Sequence, residues 1–256
     1  MYQVIVHFSY QNFEQDPVTL ISQVLNQWRY NGQVIGREMG ITHHQHETLS
    51  EFQVRVSTPE QESLFPEYNN EYVNEALLQA ENAGVQFEYF ELVGRDYNAE
   101  ETGATEQATF QIIYTTYVET CSPIYNGKTF RPIPLYRFGD QPELTEAIIK
   151  WQENWQSCDQ LQMNGGALEQ QALTEISEFN SELNQYGRLI GQALENLTCV
   201  PTYYYLYRLG KDEATEHQRQ CPSCGGKWKL TEPLHGIFHF KCDDCRLVSN
   251  LSWELQ

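Results

Sequence analysis

Two cysteine pairs constrain this chain more than any other feature. Cys221-Pro222-Ser223-Cys224-Gly225-Gly226 and Cys242-Asp243-Asp244-Cys245 are separated by seventeen residues, a spacing that reads as a metal site. Each Cys-x2-Cys makes a tight turn that presents two thiolates, and the stretch between them forms a hairpin that returns the second pair to the first. Lys227-Trp228-Lys229-Leu230 and Ile237-Phe238-His239-Phe240 alternate across Pro233 to Gly236, and Leu247 to Trp253 supplies a third strand. The reading is a zinc ribbon over 217–256. Four soft sulfur donors favour one structural zinc ion, with rubredoxin-like iron as the rival, and the closed shell leaves no position for substrate. So small a module has little core of its own, and the metal contributes on the order of 10 kcal/mol to its folding. His235 and His239 read as hairpin-surface residues, because the four thiolates already complete the set.

The rest of the chain is an acidic body. Arg219, Lys227, Lys229, Lys241 and Arg246 stand against Glu232, Asp243, Asp244 and Glu254 in the ribbon segment, one net positive charge, so a total of −19 leaves −20 on residues 1–216. A body of that charge repels polyanions. Hydrophobic content of 40% with charge at 20% supports packed cores rather than disorder, and 256 residues fit two or three of them. The start Met1-Tyr2-Gln3-Val4-Ile5-Val6-His7-Phe8 has no basic leader, and no apolar run approaches a membrane span. Seven cysteines, with Cys121, Cys158 and Cys199 standing alone, suit a reducing compartment. The expectation is a cytoplasmic protein with no membrane role.

The fold class expected is α+β. Tyr2, Val4, Val6 and Phe8 alternate as a strand; Ile21, Val24, Leu25 and Trp28 recur at helical spacing; strands follow at Val34-Ile35 and over Phe52, Val54 and Val56. A helix with Val73, Ala76, Leu77 and Ala80 ends at Gly84, and Val85–Val93 closes a β-α-β-β-α-β order over 1–95, the ferredoxin-like arrangement. Residues 108–210 read as a strand from Phe110 to Val118, a hairpin turning at Asn126-Gly127, and a long helical hairpin. The second helix of that hairpin runs some thirty residues along a stripe that includes Ile176, Leu183, Tyr186, Ile190, Leu194 and Leu197. Leu135-Tyr136-Arg137-Phe138-Gly139 echoes Leu206-Tyr207-Arg208-Leu209-Gly210, and two extended segments so alike could pair, bringing Arg137 to Arg208.

Pro134-Leu135-Tyr136-Arg137, Cys221-Pro222-Ser223-Cys224-Gly225 and Cys242-Asp243-Asp244-Cys245-Arg246-Leu247-Val248 carry a further signal. With these the chain resembles a bacterial family, a domain of unknown function described as zinc-ribbon-containing and suggested to bind nucleic acid. The resemblance implies a zinc site and no reaction.

Three classes of function compete. A nucleic-acid reader would use Lys227, Lys229, Lys241 and Arg246 on phosphate and stack Trp228, Phe238 or Phe240 on bases. Zinc with four thiolates adds about −2 to the module, however, so no basic footprint survives. A protein partner, a basic one in particular, suits the acidic composition better. An enzyme is the weakest reading, since P-loop, Gly-x-Gly-x-x-Gly, Gly-x-Ser-x-Gly and His-Glu-x-x-His patterns are all absent from the sequence. His43, His44 and His46 with Glu47 could make a second metal site, but a polar loop explains them more simply. The chain therefore reads as a non-catalytic zinc-binding interaction protein, with protein favoured over nucleic acid as partner and the oligomeric state open.

Overall fold

The computed structural model describes residues 1–11, 15–45, 49–103, 108–119, 121–210 and 212–252. The chain is α+β, with two sheets and several helices, and divides into two units. The first comprises residues 1–104, 120–122 and 131–149; the second comprises 105–119, 123–130 and 150–256.

In the first unit β1 (Tyr2–Tyr10), α1 (Pro17–Tyr30), β2 (Ile41–Gln45), β3 (Ser50–Thr58), α2 (Glu71–Asn82) and β4 (Val85–Arg95) follow in order. The strands form an antiparallel sheet ordered β2-β3-β1-β4. Period-two alternation puts Val4, Val6 and Phe8 opposite Val56, Val54 and Phe52. Ile21, Val24 and Trp28 of α1 and Val73, Ala76 and Ala80 of α2 complete that same core. Both helices start on side-chain caps: Asp16 accepts the Val18 N–H at 3.1 Å ahead of Pro17, and Asn70 accepts the Val73 N–H at 2.9 Å.

The second strand is not where apolar patterning put it. Ile35 makes only an isolated bridge to Ser57, and β2 begins at Ile41. As an edge strand with four of its five residues exposed, β2 has no need of apolar alternation, so it left no signal.

Leu135–Phe138 is a 3-10 turn, not an extended segment. Within it the Tyr136 hydroxyl donates to Glu60 Oε2 at 2.5 Å, and Arg137 Nη2 reaches the same oxygen at 2.8 Å while its guanidinium lies 4.5 Å from the Tyr68 ring centre. Arg208 instead bonds Glu216 at 2.6 Å, so the two arginines of the echo have separate carboxylates.

The second unit contains β5 (Gln111–Ile113), β6 (Ile124–Asn126), the later part of α3 (Pro142–Met163), α4 (Glu169–Ser177), α5 (Glu182–Thr198), β7 (Thr202–Leu206), α6 (Glu213–Gln218), β8 (Lys229–Leu234), β9 (Phe238–Cys242) and β10 (Leu247–Asn250). Its sheet runs β6-β5-β7-β10-β9-β8. The junction is β10 on β7, parallel, with Leu247 opposite Tyr204. The three strands of the cysteine segment therefore extend a sheet begun by the preceding segment.

Three expectations change here. The strand expected over Phe110–Val118 is only Gln111–Ile113: the Tyr114 N–H still donates to the Pro123 carbonyl at 2.9 Å, but the chain then leaves the ladder, the Tyr117 N–H donating to Asp159 at 2.8 Å and the Glu119 N–H to the Thr116 carbonyl at 3.2 Å. A turn does follow Asn126, closed by the Phe130 N–H on the Asn126 carbonyl at 2.8 Å and by the Lys128 N–H on the Asn126 side chain at 2.9 Å, but it makes no hairpin: β6, which Asn126 ends, pairs with β5 before it. The long second helix breaks into α4 and α5. Ser181 caps α5 by accepting the Asn184 N–H, while the fully buried Asn184 side chain donates to the Glu178 carbonyl at 2.8 Å and to no helix. The buried stripe of α5 is Asn184, Gly187, Ile190, Gly191 and Leu194, and Tyr186 and Leu197 of the expected stripe are exposed. Gly187 explains the shift: a Cβ there would enter the Tyr204 ring and lie 2.6 Å from Trp151 Nε1, so glycine lets the helix sit directly on β7.

Candidate metal centre

Both cysteine turns hang from the ends of strands. Cys221 and Cys224 precede β8, Cys242 ends β9, and Cys245 lies in the turn to β10. The first turn is closed by the Gly225 N–H on the Cys221 carbonyl and the Cys221 N–H on the Gly226 carbonyl, both 2.9 Å. Gly225 has φ +71°, a left-handed conformation that favours glycine. The Gly226 N–H then points at Cys224 Sγ, 3.4 Å away. Antiparallel pairing of β9 with β10, Leu247 opposite Cys242, folds the second turn so that Cys245 returns beside Cys242.

All four sulfur atoms lie within 4.8 Å of one another, with Cys224 Sγ 3.7 Å from Cys242 Sγ. Four thiols at that spacing can hold one metal ion in a tetrahedral all-sulfur shell. Their protonation fits such a group. Burial raises Cys221 and pushes Cys242 up to about 12, while the Gly226 N–H lowers Cys224. Packed thiols resist joint ionisation, and a dication removes that resistance by neutralising the thiolates it binds. Cys221 and Cys242 are buried; Cys224 is exposed and Cys245 half-buried.

Around the sulfurs the ribbon's aromatics turn inward. Trp228, Phe238 and Phe240 are at most 2% exposed, and Trp228 packs 5.3 Å from Phe240. Arg219 lies over Phe240 at 4.2 Å, accepts Trp228 Nε1–H on its carbonyl at 3.0 Å and donates to the Asn250 carbonyl at 2.8 Å. Burial pulls its guanidinium down to about 10, and the 1%-exposed Glu216 answers that charge from 3.6 Å.

Three of the four basic residues singled out in the sequence are engaged by neighbouring side chains. Lys241 bonds the Tyr203 hydroxyl at 3.1 Å and pairs with Asp243, and Tyr203 in turn donates to Asp243 at 2.6 Å. Arg246 pairs with Glu195. Lys229 Nζ meets His217 Nδ1 at 2.8 Å, and Lys227 is exposed. Trp228, Phe238 and Phe240 are too deeply buried to stack on a base. His235 bonds the Gly127 carbonyl at 2.7 Å and stacks on Phe130, and His239 accepts the Leu251 N–H at 3.2 Å, so neither belongs to the sulfur cluster.

In the first unit His43 and His44 are successive residues of β2, on opposite faces; His43 stacks on Phe52 at 4.8 Å. His46 and Glu47 lie outside the described residues. Sequence reasoning missed Glu195, Arg208, Glu216 and Arg219 as structural charges, since the ion pairs of Glu195 with Arg246 and of Arg208 with Glu216 join residues that no local pattern links.

Three models of domains of unknown function match the chain in succession: residues 1–94, residues 105–207 (domain of unknown function DUF2310) and residues 210–255. A protein of Haemophilus influenzae (strain ATCC 51907 / DSM 11121 / KW20 / Rd) described as uncharacterized is 50% identical over 258 residues, covering 99% of this chain and 99% of its own length. A second, similarly described, from the same strain is 52% identical over 178 residues, covering 69% of this chain and 88% of its own. None of these descriptions names a zinc ribbon or a nucleic-acid ligand. Similarity of that extent, end to end, means that the chain belongs to the same bacterial family as these two Haemophilus influenzae proteins.

Proposed function

We propose that the protein is a non-catalytic, cytoplasmic interaction protein whose cysteine turns hold one structural zinc ion in a ribbon, and whose first unit is ferredoxin-like. The observation that carries the reading is the convergence of four thiols within 4.8 Å. Four protein sulfurs satisfy a tetrahedral ion completely, so the ion folds and braces the turns rather than activating water or substrate. Zinc is the ion read into the site, and rubredoxin-like iron is the rival that metal analysis separates from it. The βαββαβ order with strand order β2-β3-β1-β4 supports the ferredoxin-like assignment.

A protein partner is favoured over nucleic acid by the local pairing of charge. Lys241 and Arg246, two of the four cations available for phosphate, are already held by Asp243 and Glu195, and the flanking body carries −20. A basic protein surface suits this protein better. No helix among the described residues is long and apolar enough to cross a membrane.

Metal analysis of the purified chain tests the first part: one zinc per chain, lost in Cys242→Ser, is expected, and iron or retained metal in the variant sinks it. Affinity purification from the native cell, with gel shifts across a salt series, tests the second. Steep salt-dependent binding to nucleic acid would replace the protein-partner reading.

A further inference from the structure

Beside the cysteine turns, within the second unit, lies a cleft of about 290 Å³ whose walls include Arg188 of α5, Thr202 and Tyr204 of β7, and Ser223, Asp244 and Arg246 of the turns. Its size is near the lower limit of small-molecule sites. The charges in its wall are unevenly satisfied. Arg246 and Glu195 neutralise each other at 3.1 Å. Arg188 is half-buried, and among the described residues it has no carboxylate within ion-pair distance. Its guanidinium packs 3.8 Å from the Phe179 ring centre, and only Nη1 is engaged, donating to the carbonyls of Phe179 at 2.5 Å and Asn184 at 3.3 Å.

What remains open on Arg188 is the edge formed by Nε–H and Nη2–H. Those two parallel donors are the edge with which arginine grips a planar carboxylate by two hydrogen bonds. Burial without a counter-ion also lowers the Arg188 pKa, a cost that a bound anion removes. The other charge left over in the wall is Asp244, exposed and without an ion pair among the described residues. One spare cation and one spare anion disfavour a phosphate dianion, which Asp244 would repel. They match a dipolar molecule instead.

We propose that this cleft binds a free amino acid, its carboxylate held side-on by Arg188 and its ammonium group facing Asp244. The site goes beyond the partner reading above and does not depend on which metal the cysteines hold.

Calorimetric titration of the full, metal-loaded chain with L-amino acids of small, aromatic, acidic and basic type tests it, with acetate, ethylamine and inorganic phosphate as single-charge probes. At least one amino acid binds, and acetate and ethylamine bind far more weakly. Arg188→Met, which keeps the apolar stem on Phe179, weakens binding about ten- to hundredfold. Asp244→Asn weakens it less. Circular dichroism and metal content on the same samples establish that each variant is folded and loaded. The proposal is overturned by the absence of binding for every amino acid, by phosphate binding in their place, or by undiminished affinity in folded Arg188→Met. If that variant does not fold, unchanged affinity in Asp244→Asn overturns it instead.

Discussion

Gly225 and Arg246 occupy equivalent positions in the two cysteine turns: each follows the second cysteine of its pair, and each is left-handed, at φ +71° and +52°. Glycine adopts that conformation freely, whereas an L side chain costs about 1–2 kcal/mol. Arg246 offsets the cost by reaching α5, with Nε 3.1 Å from Glu195 Oε2 and Nη2 3.2 Å from Oε1. Both partners are partly exposed, so the pair contributes no more than about 1 kcal/mol. Arg246→Gly should therefore change stability by less than about 1 kcal/mol, the lost pair and the relieved backbone cancelling. Arg246→Val, branched at Cβ and without the pair, should lower both melting temperature and metal retention. Equal behaviour of the two variants in melts and chelator competition would contradict this account.

Removing the metal should loosen the turns without dissolving the strands. β10 is tied to β7, and Arg219 holds Phe240 from outside the cysteine set. After chelation, hydrogen exchange should rise sharply over 221–226 and 243–246, while amides of Phe240 and Val248 stay protected. Uniform loss of protection across 229–250 would mean that the metal carries the whole segment.

Two glycines on one helix separate close approach from helix propensity. Gly187→Ala gains about 1 kcal/mol of propensity but drives a methyl into Tyr204, so a net loss of about 1–2 kcal/mol is expected. Gly191→Ala places its Cβ 3.4 Å from Ile113 Cδ1, an ordinary contact, and should be neutral or stabilising. In denaturant melts the Gly187→Ala midpoint should fall while that of Gly191→Ala stays level or rises.

Alkaline pH should expose the buried Cys121. Burial pushes its thiol up to about 11 from an ordinary value of 9. The unfolded chain ionises first, so the contribution of the protonated thiol is complete below pH 9 and is lost as pH rises towards 11. The amount is about 3 kcal/mol. Across that window the stability of the native chain should fall more steeply than that of Cys121→Ala; parallel curves would show that Cys121 does not ionise differently on unfolding.

The legible parts of the fold were those whose signal is local. Val4, Val6 and Phe8 alternate because one face of β1 is buried, and Trp28 recurs with Ile21 and Val24 because α1 covers that face. The four cysteines were legible for the same reason, since the spacing within each pair is set by one turn. β2 was not legible, because an exposed edge strand places no demand on its side chains. The break at Ser181 went unread although Ser is a cap residue, because the apolar residues on either side keep helical spacing across it.

The charged residues mark the same boundary. By itself the sequence determined which atoms could bind a metal: four thiols on two tight turns, with residues of alternating polarity between them. Only the tertiary structure decided what surrounds them. It set Arg246 against Glu195, buried Glu216 beside Arg219, and joined β10 to β7. Turn geometry depends on neighbours along the chain, whereas desolvation and ion pairing depend on residues that meet only when helices and sheet close on one another.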